Sequence, residues 1–399
     1  MTHRLIHLVL PTLLVASCIE LAPPRLFDEA SGGGAPLPAC DHDTGAPCAA
    51  LVELKAGGTF SCARFDDDTV RCWGANESGQ LGLLDNPSSG IEGVTITDLP
   101  PFEAMSLGYS HGCGIYQSDV WCWGRNTAHQ LGEAAPTGPE PRALGLENVT
   151  ALDVDWDGGC AIWGAPPRVS CWGTELSGQN WQGLDANATY PAPTVIAGLE
   201  GEIPVAITVG SVHACALTAA DEVWCWGNDQ YGSLGAETGD SPQAVRTAPI
   251  PPPVSQLGSG SKHNCVVAGD PQVLWCWGYL PQQDNDVPTP FLYWRGTGFV
   301  EVDHMRDALC ARYEGGWVRC AGDVDYAQAP PFGPDGGYIA NMMLVPDVAE
   351  VERLAAGTFH SCAATRSGSI WCWGRNTEGQ LGHGFTSKYE APAPITLNP

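Results

Sequence analysis

Seventeen cysteines supply most of the chemistry available to this 399-residue chain. Fourteen form seven pairs: Cys62 with Cys72, Cys113 with Cys122, Cys160 with Cys171, Cys215 with Cys225, Cys265 with Cys276, Cys310 with Cys320, and Cys362 with Cys372. Spacings of 9 to 11 within a pair do not make the close Cys-x-x-Cys knuckles of a structural zinc site. The pairs read instead as disulfides formed in an oxidising compartment. Cys40 and Cys48 make an eighth pair, and Cys18 is left over. Successive first cysteines are 51, 47, 55, 50, 45 and 52 residues apart. Seven units of similar length indicate an array built from one supersecondary module.

Other groups that could do chemistry read as structural. His111, His213, His263 and His360 each precede the first cysteine of a unit by two positions, with Phe60 at that place in unit one. Four histidines related by a pseudo-rotation could converge on a metal, but a place in the repeat motif points to a histidine bonding a neighbouring turn. Asp153-Val154-Asp155-Trp156-Asp157-Gly158 resembles the start of a calcium loop, yet its twelfth position is Gly164 rather than a bidentate Glu. Alignment with the other units puts this stretch on a strand leading into Cys160. Asp66-Asp67-Asp68 falls at a hairpin tip, where a solvated acidic turn is expected. The chain shows no Ser-His-Asp set arguable from sequence and no phosphate-cradling loop. The expectation is a non-enzyme with no catalytic, cofactor or metal residues.

The formal net charge is −27, and the only lysines are Lys55, Lys262 and Lys388. Such a surface repels phosphate backbones, which argues against nucleic-acid binding. It favours solubility and attracts cationic partners. Glycine (49) and proline (33) are abundant and charged residues make up only 16%, a mix suited to short strands and many turns.

The N-terminus reads as a targeting segment. Arg4 precedes an apolar run from Leu5 to Val15, and Val15-Ala16-Ser17-Cys18 closes it. The run is too short to span a membrane. It resembles the lipobox of bacterial lipoproteins, which implies a signal peptide over 1–17 and acylation of Cys18. Several acyl chains hold a protein stably on a membrane, each buried methylene contributing about 0.8 kcal/mol. Residues 18–49, with Pro23-Pro24, Ser31-Gly32-Gly33-Gly34 and the local pair of Cys40 and Cys48, read as a flexible tether. The repeats occupy 50–399.

The last unit shows the repeat grammar. Phe359-His360-Ser361-Cys362-Ala363 and Ile370-Trp371-Cys372-Trp373-Gly374 flank Ser367-Gly368, a hairpin signature. Alternation across a strand puts Trp371 and Trp373 on one face and Cys372 on the other. The two cysteines lie symmetrically about the turn, so they should face each other on adjacent strands at a Cα separation of about 4.5 Å. Each closed loop contributes roughly 2.5–3 kcal/mol in the chain-entropy account. Spacings of 9 and 11 require a shorter or longer turn. Trp-Gly recurs at 73–74, 123–124, 172–173, 226–227, 277–278 and 373–374, and becomes Ala321-Gly322 in unit six. The tryptophans suit the gap between neighbouring sheets. A Gly-Gln-Leu-Gly ending is clear at 79–82 and 379–382, varied in units two and four, degraded in unit three and lost in units five and six.

These residues resemble the regulator of chromosome condensation repeat family: Gly-x-x-His-x-x-Ala, a turn, then Trp-Gly-x-Asn-x-x-Gly-Gln-Leu-Gly. The resemblance implies an all-β fold, a seven-bladed β-propeller of four-stranded antiparallel blades, with first and last segments sharing one blade. The count of seven units independently fits closure, since propellers have typically 4–8 blades. Paired cysteines depart from the eukaryotic pattern and fit an exported variant. The family's nuclear exchange role suits this acidic chain poorly, and fold does not transfer function.

Where the grammar fails, a binding surface is expected. Units five and six carry Phe291, Tyr293, Trp294 and Arg295, then Tyr326, Phe332 and Tyr338. Aromatics and arginine are enriched in interface cores. The competing explanation is repacking of blades whose standard core positions have changed. Trp181 and Tyr190 in unit three are further candidates. The expected protein is a monomeric, lipid-anchored, extracytoplasmic scaffold presenting one propeller face to a protein or glycan. The alternatives are a secreted hydrolase with carboxylates at the propeller mouth and a protein inhibitor of an extracellular enzyme.

Overall fold

The computed structural model describes residues 49–84, 89–132, 136–173, 190–280, 286–323, 329–330 and 338–395. Cys18, Cys40, Cys48, Trp181, Tyr326 and Phe332 lie outside the described residues, as do the side chains of Tyr190 and Tyr338.

Seven sheets of four antiparallel strands follow one another along the chain, spanning 51–96, 104–143, 151–195, 204–246, 254–294, 299–344 and 351–394. No helix occurs among the described residues. In each sheet, strand order follows sequence order. Blade seven is therefore complete within 351–394, which corrects the expectation that the two ends of the repeat region share a blade. The ring closes instead by packing. Leu54 and Trp73 of blade one share a buried cluster with Cys362, Cys372 and Ile370 of blade seven. His360 Nε2 lies 2.6 Å from Ser61 Oγ across this junction, and Thr358 N–H donates to the Gly57 carbonyl at 3.2 Å.

All seven described cysteine pairs are disulfides between the second and third strands of one blade. They join Cys62 to Cys72, Cys113 to Cys122, Cys160 to Cys171 and Cys215 to Cys225. Blades five to seven continue the series with Cys265 to Cys276, Cys310 to Cys320 and Cys362 to Cys372. The bonded residues are direct cross-strand partners. Their Cα atoms are 4.0–4.1 Å apart, close to the non-hydrogen-bonded spacing. Turn length accounts for the variation in spacing. In blade two the pairing of Tyr116 with Asp119 leaves a two-residue turn, Gln117-Ser118, with φ of 52° and 62°, the primed geometry that matches strand twist. In blades three and five, the pairings of Trp163 with Arg168 and of Ala268 with Val273 leave four-residue turns.

The residue between the second cysteine and the following glycine is a bulge in every blade. The glycine after it has φ between 96° and 120°, a region closed to residues with a Cβ. A Cβ on Gly74 would lie 2.6 Å from the Thr59 carbonyl oxygen. Blade six keeps Gly322 although it has lost the tryptophan, so the backbone, not the indole, demands glycine.

The bulge sends the tryptophan into the seam with the preceding blade. Trp73, Trp123, Trp172, Trp226, Trp277 and Trp373 have no exposed surface. They share buried clusters with the disulfide of the blade before: Trp123 with Cys62 and Cys72, Trp172 with Cys113 and Cys122, Trp226 with Cys160 and Cys171, and Trp277 with Cys215 and Cys225. Trp373 clusters with Cys310 and Cys320 of blade six, whereas Cys372 belongs to the seam with blade one, as strand alternation predicts. The indole N–H of Trp123, Trp172 and Trp277 donates at 2.9 Å to the carbonyl of Gln80, Gln130 and Ser233. Those carbonyls belong to the Gly-Gln-Leu-Gly turn or its variants. The turn is organised from within: Leu81, Leu131 and Leu234 N–H groups each donate at 2.9 Å to Asn76, Asn126 and Asp229. Unit five lacks this ending, and unit six lacks the tryptophan that would use it.

The closing contact is testable. His360→Ala should lower unfolding free energy by about 1–3 kcal/mol, the cost of a broken buried hydrogen bond. The measurement is the urea midpoint of the oxidised protein. An unchanged midpoint would mean that the junction of blades seven and one does not limit stability.

Candidate functional site in the axial channel

The innermost strand of each blade is bonded on one side only. Its other N–H groups face the neighbouring blade and the axis and need acceptors from elsewhere. Side chains of the preceding blade supply them. Glu53 accepts from Met105 N–H at 3.1 Å, Ser106 Oγ from Val154 N–H at 3.1 Å, and Asp153 from Val209 N–H at 2.8 Å. Gln256 accepts from Val302 N–H at 2.8 Å, Glu301 from Leu354 N–H at 3.2 Å, and Asp303 from Ala356 N–H at 2.8 Å. Val254 N–H of blade five likewise donates to Asp221 of blade four at 3.2 Å, so such latches join blade to blade around much of the ring.

One position recurs around the ring, opposite the first cysteine of each blade: Lys55, Ser106, Asp153, Thr208, Gly258, Asp303 and Ala355. Several of these side chains line a cavity of about 270 Å³ together with Asp155 and Ser211. Asp153 also accepts from Ser106 Oγ at 2.8 Å, and Asp303 from its neighbour His304 N–H at 2.8 Å. Both oxygens of each carboxylate are thus engaged. Burial pushes Asp153 and Asp303 above the usual carboxylate range, opposed in both by Lys55. Burial works against the Lys55 ammonium, but Glu53, Asp303, Asp153 and Glu301 outweigh it and hold the group above its ordinary value. Asp155, which accepts from Ser211 Oγ at 3.1 Å, is pushed up to about 7 by burial and by the charge of Asp153.

The calcium-like stretch is pulled in separate directions. Asp153 and Asp155 lie on the innermost strand of blade three, Ala151–Asp155, where both accept from blade four, from Val209 N–H and Ser211 Oγ. Asp157 accepts from Gln130 Nε2 at 2.8 Å on the opposite side. The four repeat histidines also stay apart, each at its own seam. His213 Nε2 lies 2.7 Å from Asn264 Oδ1, and His360 meets Ser61. These partners sit on the second strand of the next blade rather than on a turn, which corrects the expected partner. At His111 the equivalent residue of the next blade is Gly159, where a Cβ would strike Val154 at 2.5 Å and Trp172 at 2.8 Å. His263 meets His304 at 3.4 Å. Cys265 lies beside that pair, but its sulfur is bonded to Cys276 and offers no thiolate. Burial lowers all of these rings, His111 and His360 to about 3 and His213 and His304 to about 4, so they stay neutral at physiological pH.

The segment at 291–295 is not a loop. Phe291, Tyr293 and Trp294 lie on the outermost strand of blade five, Val287–Trp294. They pack against the cluster that holds Cys265, Cys276, Tyr313, Ala321 and Met342. This is the seam whose tryptophan is replaced by Ala321, so the aromatics fill the space an indole would take. Arg295 is exposed. Tyr338 begins the outermost strand of blade six, Tyr338–Leu344. The sequence signal for the channel is the set of acidic and hydroxyl residues at one register position, legible only once strands are aligned on the cysteines.

Two outcomes follow for the channel. A carboxyl raised in the folded state contributes stability that is complete below its unfolded value and is lost as pH rises through the folded one. Asp155 therefore makes the protein less stable between pH 4 and 7 as pH increases. Asp155→Asn should raise Tm at pH 8 and leave it near wild type at pH 4. Lys55→Met should lower Tm at pH 8 by leaving Asp153 and Asp303 without their counter-charge, with a smaller loss at pH 4. Calorimetry across that range checks both.

Comparison with known proteins agrees with this architecture. The signature of the regulator of chromosome condensation (RCC1) repeat matches residues 52–80, 205–233 and 351–380, and a second form of it matches 367–399. The chain is 26% identical over 365 residues to the human (Homo sapiens) E3 ubiquitin-protein ligase HERC2, covering 85% of this chain but 7% of that protein. It is 26% identical over 384 residues to the ultraviolet-B receptor UVR8 of Arabidopsis thaliana, covering 87% and 81%. Among solved structures, Prp20p of Saccharomyces cerevisiae, described with its binding to Gsp1p and histones, superposes with a TM-score of 0.69 at 19% identity over 87% and 88% of the two chains. The chain carries RCC1 repeats folded as a seven-bladed β-propeller.

Proposed function

We propose that this chain is a non-enzymatic, protein-binding scaffold that works outside the cytoplasm, held to a membrane through an acylated Cys18. The observation that carries the reading is one fully buried disulfide in each of seven blades. Cytosolic thiol chemistry keeps such cysteines reduced, whereas exported proteins form and retain the bonds. Disulfides and latches give a rigid ring, which suits presentation of a surface rather than movement around a substrate. Prp20p, with the same fold, binds proteins. A formal charge of −27 favours a basic partner surface and an association rate that falls with salt. Arg295 is exposed at the end of blade five and is taken as one of the side chains that meet the partner.

The anchor is tested by fractionation. Cys18→Ser should move the protein from the membrane to the soluble extracytoplasmic fraction and abolish incorporation of labelled fatty acid. Membrane retention of the variant would remove the anchor from the proposal. Binding is tested by in-cell cross-linking, followed by Kd measurement with the identified protein at several salt concentrations. The expected result is a protein partner held more weakly at high salt. Turnover of a glycan or ester that disappears in Asp155→Asn would favour the hydrolase instead.

A further inference from the structure

The surface between blades six and seven holds a polar groove of about 530 Å³. One wall is the hairpin tip of blade six, Glu314 to Gly316, and the other is the start of blade seven with Arg366 of its hairpin. A backbone bond fixes the walls to each other, Val351 N–H donating to the Gly316 carbonyl at 2.8 Å. Within the second wall, Arg366 N–H donates to the Glu350 carbonyl at 2.8 Å. Glu350 is held at φ 54°, a left-handed conformation that glutamate seldom adopts. At the hairpin end stands Trp317, 55% exposed. Its ring lies over Gly315, where a Cβ would come within 2.7 Å of it. The six tryptophans of the Trp-Gly steps have no exposed surface, whereas Trp317 leaves more than half of its surface to solvent.

The charges of the groove set the chemistry of its occupant. Three arginines, Arg312, Arg353 and Arg366, and three glutamates, Glu314, Glu350 and Glu352, line it. In a protein of net charge −27, this is a locally balanced site. Arg366 Nε donates to Glu352 at 3.0 Å, and Arg312 is tied to Glu301 at 2.9 Å. An anionic ligand would have to displace these carboxylates, and a cationic one would meet three guanidinium groups beside the glutamates. A neutral ligand rich in hydroxyls faces neither penalty, because each hydroxyl both donates to carboxylates and accepts from guanidinium groups. An exposed indole beside such groups gives an apolar platform for the C–H face of a sugar ring. We propose that the blade six–seven groove binds a neutral oligosaccharide, with Trp317 as its stacking platform and Glu350 and Arg366 as hydrogen-bonding groups.

The test uses the full-length oxidised protein on an array of neutral, acidic and sulfated oligosaccharides, with titration calorimetry on those retained. Wild type should hold neutral oligosaccharides. Trp317→Ala should weaken binding by at least about tenfold while Tm stays unchanged, since the ring is exposed. Trp317→Tyr should keep most of the affinity, and Glu350→Gln should reduce it. No retained neutral sugar, retention of acidic glycans alone, or undiminished affinity in Trp317→Ala would each overturn the assignment. None of these results bears on the protein scaffold, whose partner is measured separately by cross-linking.

Discussion

The packing of a tryptophan from one blade over the disulfide of the blade before it is the interaction on which this ring depends. No disulfide joins two blades among the described residues, because every one there lies inside one sheet. The disulfides fix hairpin register and also form the floor of each seam. An indole buried on that floor removes some 150–250 Å² of surface from water, and at Trp123, Trp172 and Trp277 its N–H donates to a carbonyl in the preceding turn. Stability within a blade and adhesion between blades therefore share the same residues.

The seams differ, and the differences locate what each blade contributes. Blades five and six meet without an indole, and Phe291, Tyr293 and Trp294 take its place. The channel side is held by carboxylates, a hydroxyl and an amide that satisfy the open edges of the innermost strands. The acidity of the channel follows from this edge problem, and Lys55 moderates its electrostatic cost. A channel built this way resists deformation and leaves function to the outer loops and grooves.

Much of this is legible in the sequence. Cysteine spacing predicts cross-strand disulfides, and the 9-, 10- and 11-residue intervals translate directly into turn length. Cys160 with Cys171 shows the long form, and Cys62 with Cys72, Cys215 with Cys225 and Cys310 with Cys320 show the intermediate one. Alternation at Trp371, Cys372 and Trp373 predicts which side chains face which neighbour. The histidines two positions before the cysteines are structural, as their place in the motif indicates, but their partners, Ser61, Asn264 and His304, come from the next blade and have no local signature. Phe291, Tyr293 and Trp294 lie on a strand that also carries Pro288 and Pro290, which an outermost strand tolerates because no further strand needs an N–H there. Completion of blade seven within its own repeat is invisible because the phase of a closed ring leaves no mark on a repeating pattern. The groove beside Trp317 is equally hidden, because its walls come from two blades.

The seam is tested most directly by a double-mutant cycle between Trp172 and the disulfide of Cys113 and Cys122. Unfolding free energies are measured for Trp172→Phe, for Cys113→Ala with Cys122→Ala, and for the combination. The account predicts a coupling of about 1 kcal/mol or more, in the range found for residues in direct contact. Additive effects would contradict it, because the indole and the disulfide would then stabilise the protein independently.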